Sequence, residues 1–289
     1  MPTRLIIGGD SKVGQALHGR YHAEGLPVIA TSRRSEQTSH VSLDLAEDPA
    51  RWRLPDDVGV VFLCAAVTRL ETCRTQPDAS AKVNVHAPLH LARTLHARGA
   101  FIVFLSTNQV FDGTKPYRRV DEPVCPQSEY GRQKAELERR LLELGAGVAV
   151  VRFTKILEPH VPLFEQWKTE LRQGHVIEPF SDMVQAPVPL AFAVRSLASV
   201  AEERRSGFFH VSGERDMSYA EMGLAAAHAV GAKPSLVRPK RAVDSGIAPE
   251  NLPKHTTLCT RSLDRLGLRA PEVERTVREA LTGVCSAAA

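Results

Sequence analysis

Short, almost wholly apolar runs alternate with longer stretches of helical period from the N-terminus to about residue 155. Five runs read as strands: Arg4 to Gly8, Pro27 to Thr31, Val58 to Leu63, Ala100 to Leu105 and Gly147 to Arg152. Their near-continuous hydrophobicity is what strands covered on both faces require. Helical windows fall near residues 12–24, 79–98 and 128–145. This alternation predicts repeated βα units around a parallel sheet. After about residue 156 the regularity gives way to proline-rich connections at Pro159, Pro162, Pro179, Pro187 and Pro189. One later helix is marked by its ends: Ser218-Tyr219-Ala220-Glu221 has capping-box spacing, and Gly231 can close the element.

Composition narrows the class. The 289 residues suffice for two domains, or for one large α/β unit with a lobe built on it. With 43% hydrophobic and 24% charged residues, the chain is neither disordered nor fibrous. The net charge of +4 comes from scattered basic residues, so neither nucleic acid nor membrane is expected as a partner. The opening Leu5-Ile6-Ile7 is too short for a signal peptide. The longest apolar run, Val58 to Val67, is broken by Gly59 and too short to span a bilayer. Cys64, Cys73, Cys125, Cys259 and Cys285 are odd in number and contain no CxxC, which suggests neither a disulfide framework nor a zinc site. A soluble, cytoplasmic protein is the expectation.

Directly after the first strand stands Gly8-Gly9-Asp10-Ser11-Lys12-Val13-Gly14, followed by a helix. A turn this tight needs glycine for its backbone angles and for close approach of a pyrophosphate, which then rests on the free N–H groups of the helix N-terminus. The spacing is G-x-x-S-x-x-G rather than G-x-G-x-x-G, and its place after the first of a series of strands favours dinucleotide binding over a purely structural turn. The second strand ends in Thr31-Ser32-Arg33-Arg34. An acid there would bind the ribose hydroxyls of NAD, whereas two guanidiniums suit a 2′-phosphate, so NADP(H) is preferred and NAD(H) remains possible. The other reading of Arg33 and Arg34 is solvation at a strand end.

The stretch from Ser128 to Gly145 carries the strongest chemical signal. At 100° per residue, Tyr130, Lys134, Leu137, Leu141 and Leu144 fall within about 40° of one line, while Glu129, Arg132, Gln133, Glu136, Arg139, Arg140 and Glu143 fill the opposite arc. A lysine on a buried stripe costs stability unless it has a partner. One functional reading is that Lys134 lowers the Tyr130 phenol by charge proximity, so that it exchanges a proton with a substrate oxygen. The structural alternative is a packed tyrosine with a lysine reaching past it to solvent. The strand before this helix ends in Ser106-Thr107-Asn108-Gln109, placing hydroxyls at a carboxyl-terminal strand end, where open α/β sheets bind ligands.

With these features in order, the chain resembles the extended short-chain dehydrogenase/reductase family and, within it, the dTDP-4-dehydrorhamnose reductase group. Ser106-Thr107-Asn108-Gln109-Val110-Phe111-Asp112-Gly113 is similar to the group's S-T-D-Y-V-F-D-G, and Tyr130-Gly131-Arg132-Gln133-Lys134 to its Y-G-x-x-K. The resemblance implies an α/β fold, a Rossmann-type doubly wound parallel sheet over residues 1–155, with a smaller C-terminal substrate lobe over 156–289 and an interleaved boundary. It implies Thr107, Tyr130 and Lys134 as the catalytic trio, Lys134 and Tyr130 also meeting the nicotinamide ribose. Gly8, Ser11, Lys12, Val13, Gly14, Arg33 and Arg34 would meet the cofactor phosphates. Asp44 and Leu45 would meet adenine, and Cys64, Ala65 and Ala66 would line the path of the cofactor. Asn84 is similar to a helix asparagine that supports the site. Ser181-Asp182, Pro187 and Gly207 to Gly213 are similar to segments of the later half.

Departures from the group concern the substrate. Asn108-Gln109 stands for Asp-Tyr, and Phe153-Thr154-Lys155 for Thr-Ser-Trp. Thr68, Asn108, Gln109 and Lys155 are therefore candidate substrate contacts, with Lys155 suited to a carboxylate or a hydroxyl-rich sugar. His86 and His90 have i, i+4 spacing, but Pro88 between them and the lack of a local acid or cysteine speak against a metal. The expected activity is NADP(H)-dependent reduction of a nucleotide-linked keto-sugar. The alternatives are an NAD-dependent epimerase and a non-catalytic dinucleotide-binding regulatory subunit. The missing acidic pair after Thr107 disfavours a 4,6-dehydratase. A homodimer is left open.

Overall fold

The structure, a computed structural model, describes residues 1–34, 41–247 and 252–284. Its chain divides into two units. The first comprises Met1–Phe111, Pro123–Arg152 and Val194–Phe209, and the second Asp112–Glu122, Phe153–Ala193 and His210–Ala289.

The first unit is built on βα repeats. Strand β1 (Thr3–Ile7) leads into α1 (Lys12–Ala23), and β2 (Val28–Ser32) into the two-residue β3 (Val41–Ser42). Strand β4 (Val58–Leu63) is followed by α2 (Leu70–Thr75), α3 (Pro77–Ala81), a π-turn (Lys82–His86) and α4 (Ala87–Ala97). Strand β5 (Phe101–Thr107) runs into a 3₁₀ turn (Asn108–Val110), then α5 (Glu129–Leu142) and β6 (Val148–Phe153). The five predicted strands are all present, each within one or two residues of its expected start. The window predicted near 79–98 is not one helix. Pro88 has no N–H to close an α-turn onto the Asn84 carbonyl four residues back, and the helix widens to π there.

In the second half of the chain follow β7 (Ile156–Leu157), α6 (Pro162–Arg172), β8 (Val184–Gln185), β9 (Val188–Pro189), α7 (Leu190–Glu202), β10 (Gly207–Val211), β11 (Met217–Ser218), α8 (Tyr219–Ala229) and α9 (Val273–Thr282). The main sheet is seven-stranded, in the order β10-β6-β5-β4-β1-β2-β3. Strand β1 lies parallel between β2 and β4, with Ile6 opposite Ala30 on one side and Phe62 on the other, and β4 runs parallel to β5. Sequence order reverses at β1, so the carboxyl ends of β1, β2 and β4 open a crevice of the kind that binds ligands in α/β sheets.

Apolar strand residues account for the first core: Leu5, Ile7, Val61, Leu63, Ile102, Phe104, Val148 and Val150 pack with Leu91 and Leu95 of α4 and with Leu137 and Leu141 of α5. A separate core in the second unit joins Phe164, Trp167 and Leu171 of α6 to Met222 and Ala226 of α8 and Val277 and Leu281 of α9. The predicted capping box starts α8: the Ser218 hydroxyl accepts from the Glu221 N–H at 3.1 Å, and the Glu221 carboxylate accepts from the Ser218 N–H at 2.7 Å. Gly231, at φ +67°, follows its end. Among the described residues, no helix is long and apolar enough to cross a membrane.

Candidate active site

The turn after β1 is fixed by contacts that leave no room for side chains. Gly8 has φ +89°, and a Cβ on it would stand 2.7 Å from the Ala65 Cβ; a Cβ on Gly14 would collide with the Gly8 carbonyl oxygen. Ser11 caps α1. Its hydroxyl accepts from the Gly14 N–H at 3.0 Å and donates to the Gly8 carbonyl at 2.8 Å, so the serine in the middle of the motif ties the loop together. The Thr31 hydroxyl and carbonyl accept from the N–H groups of Gly8 and Gly9 at 3.2 and 2.7 Å. Lys12 and Val13 form the first turn of α1.

This loop forms one wall of a cavity of about 600 Å³ within the first unit. Gly8, Ser11, Arg33, Asp44, Leu45, Cys64, Ala65, Ala66 and Thr68 all line it, together with Asp10, Val67 and Arg69. Arg33 is exposed at its edge. Arg34 is directed to the Asp10 carboxylate, 3.9 Å away. The Trp52 indole N–H donates to the Asp44 carbonyl at 3.0 Å and fixes the segment that carries Asp44 and Leu45. Glycines crowded against backbone, an open helix N-terminus and an exposed guanidinium at the end of β2 together fit a dinucleotide.

A second group of residues gathers at the carboxyl end of β5. The Ser128 hydroxyl caps α5, accepting from the Gly131 N–H at 3.1 Å. Tyr130 and Lys134 are 8% and 4% exposed, as the apolar stripe requires. The Lys134 ammonium donates to the Leu105 carbonyl at 2.7 Å and lies 4.5 Å from the centre of the Phe104 ring and 5.8 Å from that of Tyr130. Thr107, 8% exposed, lies two residues beyond Leu105, and its hydroxyl accepts from the Gln109 N–H at 3.2 Å. The Gln109 side-chain oxygen accepts from the Ser128 hydroxyl at 3.3 Å. The structure thus brings Thr107, Asn108, Gln109, Tyr130 and Lys134 to one strand end, while Lys155 is exposed in the second unit, where its carbonyl accepts from the Val188 N–H at 2.8 Å.

Burial sets the charge states here. It pushes the Lys134 ammonium down to about 8, against the opposing pull of Glu138 and Cys64. It pushes the Tyr130 phenol above its ordinary value, with Cys73 adding to the rise. The expectation that Lys134 lowers the phenol is therefore corrected: desolvation dominates, and Tyr130 is held firmly protonated. The Cys64 thiol, on the cavity wall, is raised by burial to about 12 although the Lys134 ammonium acts on it in the opposite sense.

Two buried polar groups on α5 escape the helical wheel. Gln133, expected on the solvent arc, is 4% exposed. Its amide donates to the Ser80 hydroxyl at 2.8 Å, and its oxygen accepts from Asn84 at the same distance. Asn84 in turn accepts from the Val67 N–H at 2.7 Å and donates to the Val67 carbonyl at 3.0 Å, tying the cavity wall to α5. Glu138, absent from both predicted arcs, is 2% exposed and paired with buried Arg152 at 2.7 Å. Neither partner had a local signal, because each pairs across a long stretch of chain. Among the described residues, no group of three metal-ligating side chains is assembled.

Comparison with known proteins adds the family. The model of the RmlD substrate-binding domain matches residues 3–285. The chain belongs to that family. This RmlD-family chain is 29% identical over 283 residues to the methionine adenosyltransferase 2 subunit beta of Pongo abelii, covering 93% of this chain and 84% of the relative. Its fold is similar to that of a dTDP-4-dehydrorhamnose reductase of Clostridium acetobutylicum, with TM-score 0.81 and 24% identity over 96% of this chain and 98% of that one. It is also similar to the dTDP-4-dehydrorhamnose reductase of Bacillus anthracis in complex with NADP, with TM-score 0.82 and 18% identity over 98% and 99% of the two chains.

Proposed function

We propose that this RmlD-family chain is an NADP(H)-dependent reductase of a nucleotide-linked keto-sugar. The observation that carries the reading is a lysine ammonium buried where solvent-facing positions were available, held at 2.7 Å on the carbonyl of Leu105, one helical turn from Tyr130 and two strand residues from Thr107. Gly8, Ser11, Lys12, Val13 and Gly14 would hold the pyrophosphate, Arg33 the 2′-phosphate with Arg34 a minor contributor beside it, and Asp44 and Leu45 the adenine. Cys64, Ala65 and Ala66 would line the cofactor's path, and Lys134 with Tyr130 would hold the nicotinamide ribose. Bound there, the cofactor supplies the hydride.

The chain's own residues then handle the oxygen. Thr107 donates a hydrogen bond to the substrate carbonyl. Burial keeps Tyr130 protonated at neutral pH, so its phenol surrenders a proton only as negative charge grows on that oxygen. Lys134, still cationic below about pH 8, stabilises the phenolate left behind. Thr68, Asn108, Gln109 and Lys155 are the proposed sugar contacts, and Lys155→Ala is expected to weaken affinity for the accepted substrate.

The test is NADPH absorbance with a panel of nucleotide-linked 4-keto sugars, with Tyr130→Phe measured beside the wild type. Turnover that the variant loses supports the reductase. NAD that co-purifies and survives dialysis would instead indicate an epimerase. A second reading, a regulatory subunit, draws on the 29% identity to methionine adenosyltransferase 2 subunit beta. Cofactor binding without turnover of any sugar, together with co-elution with a methionine adenosyltransferase, would select it.

A further inference from the structure

The charged residues that line the cavity of the first unit are Asp10, Arg33, Asp44 and Arg69. Asp10 stands in the phosphate loop and lies 3.9 Å from Arg34. The Asp44 Oδ1 accepts from the Ala46 N–H at 2.8 Å, and Arg33 follows β2, where a 2′-phosphate is read. Arg69 is left over. Among the described residues no acid pairs with it, and nearby Glu71 is engaged by Arg74, whose Nε and Nη2 donate to its two oxygens at 2.9 and 2.6 Å. The backbone that carries Arg69 is fixed. The N–H groups of Cys64 and Ala65 both donate to the Ile7 carbonyl at 2.9 Å, which sets the chain after β4 against the phosphate loop. Asn84 bonds the N–H and the carbonyl of Val67, and the Arg69 carbonyl accepts from the Cys73 N–H at 3.0 Å in the first turn of α2. An exposed guanidinium is thus held at the cavity by a segment bonded on both sides of it.

We propose that Arg69 is a further cofactor-binding residue, which supplies to the dinucleotide pyrophosphate the positive charge that the glycine loop lacks. This rests on the reading of the cavity as a dinucleotide site. A pyrophosphate bridge is a dianion, whereas the N-terminus of α1 offers about half an elementary charge, and the charged side chain that the loop itself brings to the cavity is an acid, Asp10. Of the two guanidiniums on the cavity wall, Arg33 is committed to the 2′-phosphate. Arg69 remains for the bridge. A guanidinium is permanently charged and presents its N–H groups as a planar fork, which suits two phosphate oxygens at once. The two arginines thereby divide the cofactor between them: Arg33 separates NADP(H) from NAD(H), and Arg69 serves both.

The experiment measures binding without turnover, by titration calorimetry of wild type and Arg69→Ala with NADPH, NADH, ADP-ribose and adenosine 2′-phosphate. ADP-ribose keeps the pyrophosphate but lacks the 2′-phosphate and the nicotinamide. Adenosine 2′-phosphate keeps the base and the 2′-phosphate but lacks the pyrophosphate. The expected result is that Arg69→Ala weakens NADPH, NADH and ADP-ribose by a common factor of about tenfold and leaves adenosine 2′-phosphate unchanged. An unchanged affinity for ADP-ribose overturns the proposal. So does an equal loss for adenosine 2′-phosphate, which would put the guanidinium on the base or the 2′-phosphate. Wild type that binds neither ADP-ribose nor NADPH overturns the dinucleotide reading, and the inference falls with it; wild type that binds both isolates the role of Arg69. No sugar is needed, so a protein that holds the cofactor and reduces nothing can still uphold the inference, and a working reductase can still refute it.

Discussion

The carbonyl oxygen of Gln109 occupies the place where a side chain on Gly131 would have to begin. The glycine in Y-G-x-x-K is therefore a packing requirement: it lets the first turn of α5 settle on the 3₁₀ turn that follows β5. Gly131→Ala forces the helix from that turn, and with it Tyr130 from the neighbourhood of Thr107. Overpacking of this kind costs about 1–3 kcal/mol. The expected outcome is a measurable fall in Tm and a loss of turnover larger than the unfolded fraction explains. Thermal melts paired with NADPH kinetics check it, and unchanged kinetics would show that the approach is not needed.

Lys134 gives a pH dependence with a definite sign. Its folded value is about 8, against roughly 10.4 for a free lysine. Between these values the unfolded chain holds a proton that the folded chain has released, so stability rises with pH, and below about 8 the cost of burying the charge is fully present. Lys134→Met removes the group. The stability of the variant relative to wild type should be greatest below pH 8 and should fall by an amount on the order of 3 kcal/mol by about pH 10.4. Tyr130 and Cys64 titrate in the alkaline range but are common to both proteins, so they cancel to first order in the difference. Urea melts at a series of pH values measure it, and a flat difference contradicts the buried charge.

The two arginines after β2 should not contribute alike. Arg33 lines the cavity, whereas Arg34 is two-thirds exposed and sits 3.9 Å from Asp10. A lost hydrogen-bonded contact between a guanidinium and a phosphate costs about 1.5–3 kcal/mol, so Arg33→Ala should raise the NADPH dissociation constant roughly 10- to 100-fold and leave NADH nearly unchanged. Arg34→Ala should change either by no more than about threefold, because its guanidinium is turned to Asp10 rather than into the cavity and such an exposed pair is weak. Trp52, bonded to the Asp44 carbonyl on the cavity wall, is a fluorescence reporter for both titrations. Equal effects of the two variants would show that Arg34 leaves Asp10 to share the phosphate.

What could be read from the chain is what is encoded locally. The five apolar runs, the glycines of the first turn, the capping box at Ser218 and the Tyr130–Lys134 stripe are each short-range patterns, and each reappears in the structure. Long-range polar pairing is different. Nothing near Gln133 in sequence announces Asn84 or Ser80, which lie 49 and 53 residues away, and its polarity masks a place on the wheel that borders the apolar stripe beside Leu144. Arg152 likewise reads as a polar strand end until Glu138 and the rings of Phe111 and Phe208 are seen around it. The state of the Tyr130 phenol is hidden for a related reason: spacing reveals a neighbouring lysine but not the extent of desolvation.

Asn84 tests whether the cavity wall and α5 behave as one piece. Its side chain accepts from the Val67 N–H, donates to the Val67 carbonyl and donates to Gln133, all while 2% exposed. Asn84→Ala leaves three polar groups without that partner, the Val67 N–H and carbonyl and the Gln133 oxygen, at a cost of about 1–3 kcal/mol for each one that water cannot reach. Because Val67 lines the cavity, the damage should extend beyond global stability. Amide exchange in the segment after β4 should quicken more than in β1 or β5, and NADPH should bind more weakly although no residue proposed to touch it has changed. Exchange measured by mass spectrometry separates the outcomes: uniform quickening across the sheet means that Asn84 only stabilises the fold, while quickening concentrated at residues 64–69 means that it holds the binding wall in place.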